Sequence, residues 1–164
     1  MQAESPKPAG SFVLALHGHM PWVVNHGRWP HGETWLYEAV LGVYLPLLGT
    51  VNRLHADQLD ARLCLGLTPV LLEQLAHPTL QQGFSTWLDD RLHRAAADQQ
   101  DPALAGRARW WEHHISDLRD LWRAVDGNIV GAFAAHAQAG RVELLSSFAT
   151  HGYAPLIKHD QCVR

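Results

Sequence analysis

Histidines hold most of the chemical potential of this 164-residue chain, and the sharpest group is His17-Gly18-His19-Met20-Pro21, which follows the apolar run Ser11 to Leu16. Side chains repeat with period two along a strand, so an extended backbone reaching His19 projects both imidazoles to one side. Ring nitrogens paired in this way can hydrogen-bond a polar ligand or open a metal site. His151, in Thr150-His151-Gly152-Tyr153, follows another strand-like stretch and so falls on the same expected edge. Three readings are open at this point: a ligand site, a metal-dependent hydrolase built on His17, His19 and His151, or a loop with partly exposed histidines. The metal reading lacks a carboxylate at a matching strand end. Glu143 lies inside its strand, while Glu33 and Glu38 open a helix, where the dipole alone favours acids. No metal and no cofactor is assigned.

Tryptophan is the second signal. Trp22, Trp29 and Trp35 crowd into the segment after the first strand. Indoles on a loop can stack on the apolar faces of sugar rings while their N–H groups find partners, which favours a carbohydrate ligand. Trp35 is expected to start a helix and pack into the core. Trp87, Trp110, Trp111 and Trp122 fall in helical segments and read as packing residues.

The elements that must position these groups alternate along the chain. Residues 11–16 (SFVLAL) suit a strand buried on both faces, ended by His17. A Gly-, Pro- and Trp-rich loop follows over 17–32. Helical spacing of Leu36, Ala39, Val40, Val43, Tyr44 and Leu47 predicts a helix over 33–54, which Pro46 should kink or divide. Residues 62–67 (RLCLGL) form a second strand candidate. Thr68 as N-cap and Pro69 at the first helical position then open another helix. Residues 80–99 and 103–138 read as helical, with Gly127 and Gly140 as breaks, and 141–147 (RVELLSS) as a third strand with Val142 and Leu144 on one face. Strands separated by helices predict a parallel α/β layout. Three strands do not close a barrel.

Composition sets limits. With 47% hydrophobic and 18% charged residues the chain is expected to fold. A net charge of −3 provides no broad basic surface, so nucleic acid is not expected as a partner. Residues 1–10 read as a flexible tail without the pattern of a secretory signal, and no apolar run is expected to span a membrane. Cys64 and Cys162 match no metal spacing and read as reduced thiols of a cytoplasmic protein.

Three separated segments together resemble a known family. LHGHMPWVVNHGRWPHGETWLYEAVLGVYLPLL (16–48), GLTPVLLEQLAHP (66–78) and GRVELLSSFATHGYAPLI (140–157) are similar, in order, to segments of family 57 glycoside hydrolases of the α-1,4-glucan branching type. The resemblance covers nearly all of 11–160. It implies that 11–164 is the N-terminal portion of a (β/α)7 barrel with a helix-rich insertion, a retaining mechanism and an α-1,4-glucan substrate. It also implies that His17, His19 and His151 hydrogen-bond the sugar, that Trp29 forms an aromatic wall, and that Tyr153, with Thr150, shapes the floor. A retaining step needs two carboxyl groups about 5 Å apart. In the family the nucleophilic glutamate and the acid/base aspartate come later in the chain, at positions that would lie beyond Arg164. None of these 164 residues is therefore assigned a catalytic role. The expectation is an enzyme fragment, inactive alone, with a separately encoded C-terminal remainder as one candidate partner. A non-catalytic glucan-binding module is the alternative, and branching, hydrolysis and 4-α-glucan transfer all stay open.

Overall fold

The computed structural model describes residues 10–159. The expected tail falls almost wholly outside them, as do Cys162 and Arg164, so the expectation that the catalytic carboxylates lie beyond Arg164 also falls outside the described residues. Three short strands, β1 (Ala15–Gly18), β2 (Leu63–Leu67) and β3 (Val142–Leu145), form a parallel sheet in the order β1-β2-β3. Both crossovers step the same way across the sheet, and right-handed crossovers of that kind place their helices on one face. Leu65, Leu67 and Val142 are buried beneath that helical layer. The parallel α/β layout is the one that the strand–helix alternation predicts, and the arc of a (β/α) barrel is the one that the family resemblance implies.

The first strand differs from expectation. Pairing runs from Ala15↔Cys64 to Gly18↔Leu67, preceded by a bond from the Cys64 amide to the Leu14 carbonyl. Among the described residues, those upstream of Leu14 have no such partner, and Phe12 and Val13 are 88% and 71% exposed rather than buried on both faces. His17 therefore lies within the strand, opposite Gly66, and does not end it. In β3, Val142 is buried but Leu144 is half exposed at the sheet's edge.

The first helical region runs without interruption through α1 (Glu33–Ala39), a π-helical turn (Val40–Tyr44) and α2 (Leu45–Ala56). Pro46 does not divide it. A proline ring clashes with the carbonyl four residues back and donates no amide, and the wider turn immediately before it absorbs both defects. The Thr50 hydroxyl then donates to the Pro46 carbonyl at 2.9 Å. By length and composition this 24-residue helix is apolar enough to cross a membrane, contrary to the expectation that no segment would be. Leu36, Val40, Leu45, Leu48 and Val51 instead bury one side of it in the core.

Helices α3 (Pro69–Leu75), α4 (Pro78–Asp98), α5 (Ala105–Ala124) and α6 (Ile129–Gln138) complete the layer. The break between α5 and α6 falls at Gly127, and Gly140 follows α6, both with positive φ. Phe84 on α4 joins the helices, its ring 4.8 Å from Trp122 of α5 and 5.9 Å from Tyr37 of α1. Trp122 is buried and Trp87 packs against the cluster, but Trp110 and Trp111 are exposed on α5, and Trp35 is 40% exposed beside His31. Those three indoles are not core residues. They sit on the outer side of helices whose apolar stripes are already filled.

Two buried polar groups fasten helices of this layer to the segments beside them. Gln74 of α3 is fully buried: its Oε1 accepts from the Val23 amide at 2.7 Å, and its Nε2 donates to the carbonyls of Pro21 (3.0 Å) and Val70 (3.2 Å). His136 of α6 stands against α2, with Nε2 2.7 Å from the Asn52 Oδ1 and Nδ1 3.4 Å from the Arg141 guanidinium. These contacts define a neutral ring that donates to Asn52 and accepts from Arg141. Burial, then the charge of Arg141, then that of His55, push the His136 pKa below the ordinary imidazole value of 6.5.

Both groups can be tested through stability. Replacing Gln74 by Leu strands the buried Val23 amide, worth ~1–3 kcal/mol, and removes the part-buried bond to the Pro21 carbonyl; urea denaturation should show a loss of roughly 1–3 kcal/mol with an unchanged slope. The unfolded chain binds a proton at His136 more readily than the folded one, so stability is full above the ordinary imidazole value and falls as pH drops below it. Urea midpoints compared at pH 7.5 and 5 should show that decline, and His136→Gln should reduce it.

Candidate functional site

The three histidines converge at the C-terminal ends of the strands. His17 on β1 faces Gly66, where an added Cβ would lie 3.2 Å from the His17 Nδ1 and 3.7 Å from the Leu145 Cβ. A side chain at 66 would press on the imidazole, which would have to give by a few tenths of an ångström. His19, two residues on, keeps the same side: its ring centroid is 6.5 Å from that of His17 with only 21° between the planes. His151 completes the group, at 4.6 Å from the ring of His17 and 4.7 Å from that of His19. The Nε2 atoms of His17 and His151 are 3.1 Å apart, so one donates and the other accepts.

His151 reaches this position through the loop after β3. The Ala149 carbonyl accepts from the Val70 amide in the first turn of α3, which fixes the loop to a helix start that needs acceptors. The His151 amide bonds to the Phe148 carbonyl, and His151 itself takes φ 59°. Left-handed backbone at a histidine costs energy, and such strain concentrates at functional positions.

The loop after β1 is held in two places. Gln74 grips its beginning at Pro21 and Val23. At its far end the carbonyls of Gly27 and Arg28 accept from the Glu33 and Thr34 amides, the first orphan donors of α1. Gly32 passes so close to the Gly27 carbonyl that a Cβ would collide with it. Between these anchors the cis Trp29–Pro30 bond presents the Trp29 indole, 80% exposed. Tyr153, at the start of the 3-10 turn Ala154–Leu156, is 69% exposed. The fold thus brings His17, His19 and His151 into ring contact, while Trp29 and Tyr153 stand outside that cluster as exposed rings. Thr150 lies in the His151 loop, exposed.

Two contributors were not assigned to the site from sequence. Thr68 reads as a helix cap, and it does take the capping position with extended φ and ψ, but its hydroxyl caps nothing. Its Oγ1 lies 3.1 Å from the His19 Nδ1. Gln74 had a visible signal: with Leu71 and Leu75 it occupies the buried stripe of α3, where a polar residue requires partners.

The cluster is electrostatically simple. Desolvation, followed by repulsion from His151 and then His17, lowers the His19 pKa, so the ring is neutral at pH 7. Among the described residues no three His, Cys, Asp or Glu side chains are arranged to hold a metal ion. The neutral His19 ring offers one donor and one acceptor, a pair suited to a hydroxyl group.

The chain is 33% identical to the 1,4-alpha-glucan branching enzyme TK1436 of Thermococcus kodakarensis over 156 residues, 94% of this chain and 23% of that protein. The crystal structure of TK1436 with glucose and additives superposes with a TM-score of 0.87 at 32% identity, over 91% of this chain and 27% of the other. The branching enzyme of Pyrococcus horikoshii superposes at 0.86 with 36% identity, over 91% and 29%. The alpha-amylase AmyC of Thermotoga maritima follows at 0.78 with 27% identity, over 88% and 28%. The chain therefore spans about a quarter of the length of these relatives. Since residues 13–164 also match the profile of Glycosyl hydrolase family 57, the chain belongs to that family.

Proposed function

We propose that this chain forms the strand-end wall of an α-1,4-glucan site in a branching-type family 57 enzyme, with His17, His19 and His151 hydrogen-bonding one glucosyl unit. The observation that carries the reading is the gathering of three imidazoles from two stretches of chain, far apart in sequence, within 6.5 Å of one another. Trp29, exposed on its anchored loop, supplies an indole face for a further sugar ring, and Tyr153, exposed two residues after His151, is assigned to the same site. The relatives named as branching enzymes support glucan transfer as the activity of the whole protein, and glycogen-type metabolism is its proposed setting.

The histidines bind and orient. Retaining transfer requires a nucleophilic carboxylate and a carboxylic acid about 5 Å apart. Among the described residues no such pair stands at the cluster. Glu143 is directed to Cys64, 3.6 Å away, two residues back along β2 from the position opposite His17. On this reading the carboxylates come from the part of the protein that corresponds to the relatives' remaining length, beyond Arg164 in the same chain or encoded separately. The 164-residue chain should accordingly bind a maltooligosaccharide and leave it intact.

Calorimetric titration with maltoheptaose tests this. Binding should weaken about 2- to 10-fold on His19→Ala or His151→Ala, the scale of one hydrogen bond, and Trp29→Ala should remove the accompanying change in tryptophan fluorescence. Failure of the unmodified chain to bind, or indifference to all three substitutions, would refute the proposal. The pH dependence has a definite sign. Desolvation first and repulsion from His151 second hold the His19 pKa down, so removing the second with His151→Gln should raise it part of the way toward the ordinary imidazole value, as read from the ring-proton titration of His19 by NMR.

A further inference from the structure

Thr68 ends the β2 crossover at the mouth of α3 and is wholly buried. Its backbone amide bonds to the Gly18 carbonyl at 3.1 Å, which fixes it to the residue immediately before His19. Its carbonyl accepts from the Leu71 and Leu72 amides, so the backbone of Thr68 starts the helix. The side chain takes no part in this: no helix amide reaches the hydroxyl. The His19 Nδ1, at 3.1 Å, is the partner the described residues provide for it.

A hydroxyl in that position has one proton to place. If Nδ1 carried the ring proton, the hydroxyl would accept it, and its own O–H would be left buried without an acceptor, an arrangement that folded proteins avoid. If the hydroxyl donates, both groups are satisfied. The neutral imidazole then carries its proton on Nε2.

From this geometry we infer that Thr68 is a positioning residue for His19: its hydroxyl donates to Nδ1 and so fixes an Nε2–H on the ring edge away from Thr68. That edge can donate to an oxygen of a bound sugar, a role that rests on the glucan reading above. The end of β2 then acts as a template for the end of β1. Gly66 leaves room for the His17 ring, and Thr68, two residues further on the same side, sets the proton of His19.

Long-range proton–nitrogen NMR of the histidine rings in the 164-residue chain at neutral pH tests the assignment. The unmodified protein should show His19 as a single tautomer, Nε2 protonated and Nδ1 accepting a hydrogen bond. Thr68→Val keeps the shape and removes the hydroxyl; the Nδ1 resonance should lose its hydrogen-bond shift and the ring should populate both tautomers. Thr68→Ser should restore the original pattern. Maltoheptaose affinity should fall about 2- to 10-fold in the valine variant, one hydrogen bond's worth, and return with serine. An Nδ1-protonated His19 in the unmodified protein overturns the inference, and that spectrum decides the matter even if the valine variant fails to fold. A His19 signal unmoved by Thr68→Val also overturns it. If the tautomer responds as expected while none of the three proteins binds maltoheptaose, the role of Thr68 stands and the glucan reading falls.

Discussion

A single buried amide governs the geometry of the strand ends. The chain must leave β1 as irregular backbone directly over the helical layer, where unpaired amides and carbonyls are costly. Gln74 answers with both ends of its side chain, accepting from Val23 and donating to Pro21, while its second N–H keeps it tied to Val70 of its own helix. The loop that carries His19 is thus fastened to α3. The His151 loop is fastened to the same short helix through Val70 and Ala149. Two segments far apart in sequence take their positions from seven residues.

The helices act as the rigid side of this arrangement. Phe84 sits at the crossing of α1, α4 and α5, in contact with aromatic rings from each direction, and the strands contribute one buried face to that core. The opposite face carries His17, Gly66 and Leu145, and there side-chain volume is small where the imidazole needs space. Packing density on one side and room on the other are products of the same period-two alternation along β2.

How much of this was legible depends on how local the cause is. The three strands, the helix following Thr68-Pro69, the breaks at Gly127 and Gly140, and the gathering of His17, His19 and His151 all follow from periodicity, turn chemistry and the direction of parallel crossovers. The start of β1 did not: SFVLAL is apolar throughout, and only the length of β2 decides which of its residues find a partner. Pro46 is a strong helix breaker by rule, yet a wider turn is available to a helix held down on one side. Trp35, Trp110 and Trp111 read as core residues because indoles are large and apolar, but helix phase decides burial, and their phases point outward. Thr68 was read through its backbone preference, whereas its hydroxyl is set by a residue 49 positions away. The family resemblance, in contrast, was carried by short contiguous motifs, and the profile and the superposed structures agree with it.

The π-helical turn at Val40–Tyr44 lets that helix carry one residue more than a uniform winding would seat. Each residue of a regular α-helix advances the side-chain azimuth by about 100°, and the wide turn advances less per residue, so the surplus is absorbed locally. Leu45, Leu48 and Val51 thereby keep their inward bearing, and Asn52 meets His136. Excising one residue from the turn would return the helix to a uniform winding with the downstream bearing nearly unchanged, whereas the same excision within α2 would rotate everything after it by about 100°. The turn works as stored slack between two halves, so the loss of a single codon should be borne there far more readily than one turn later.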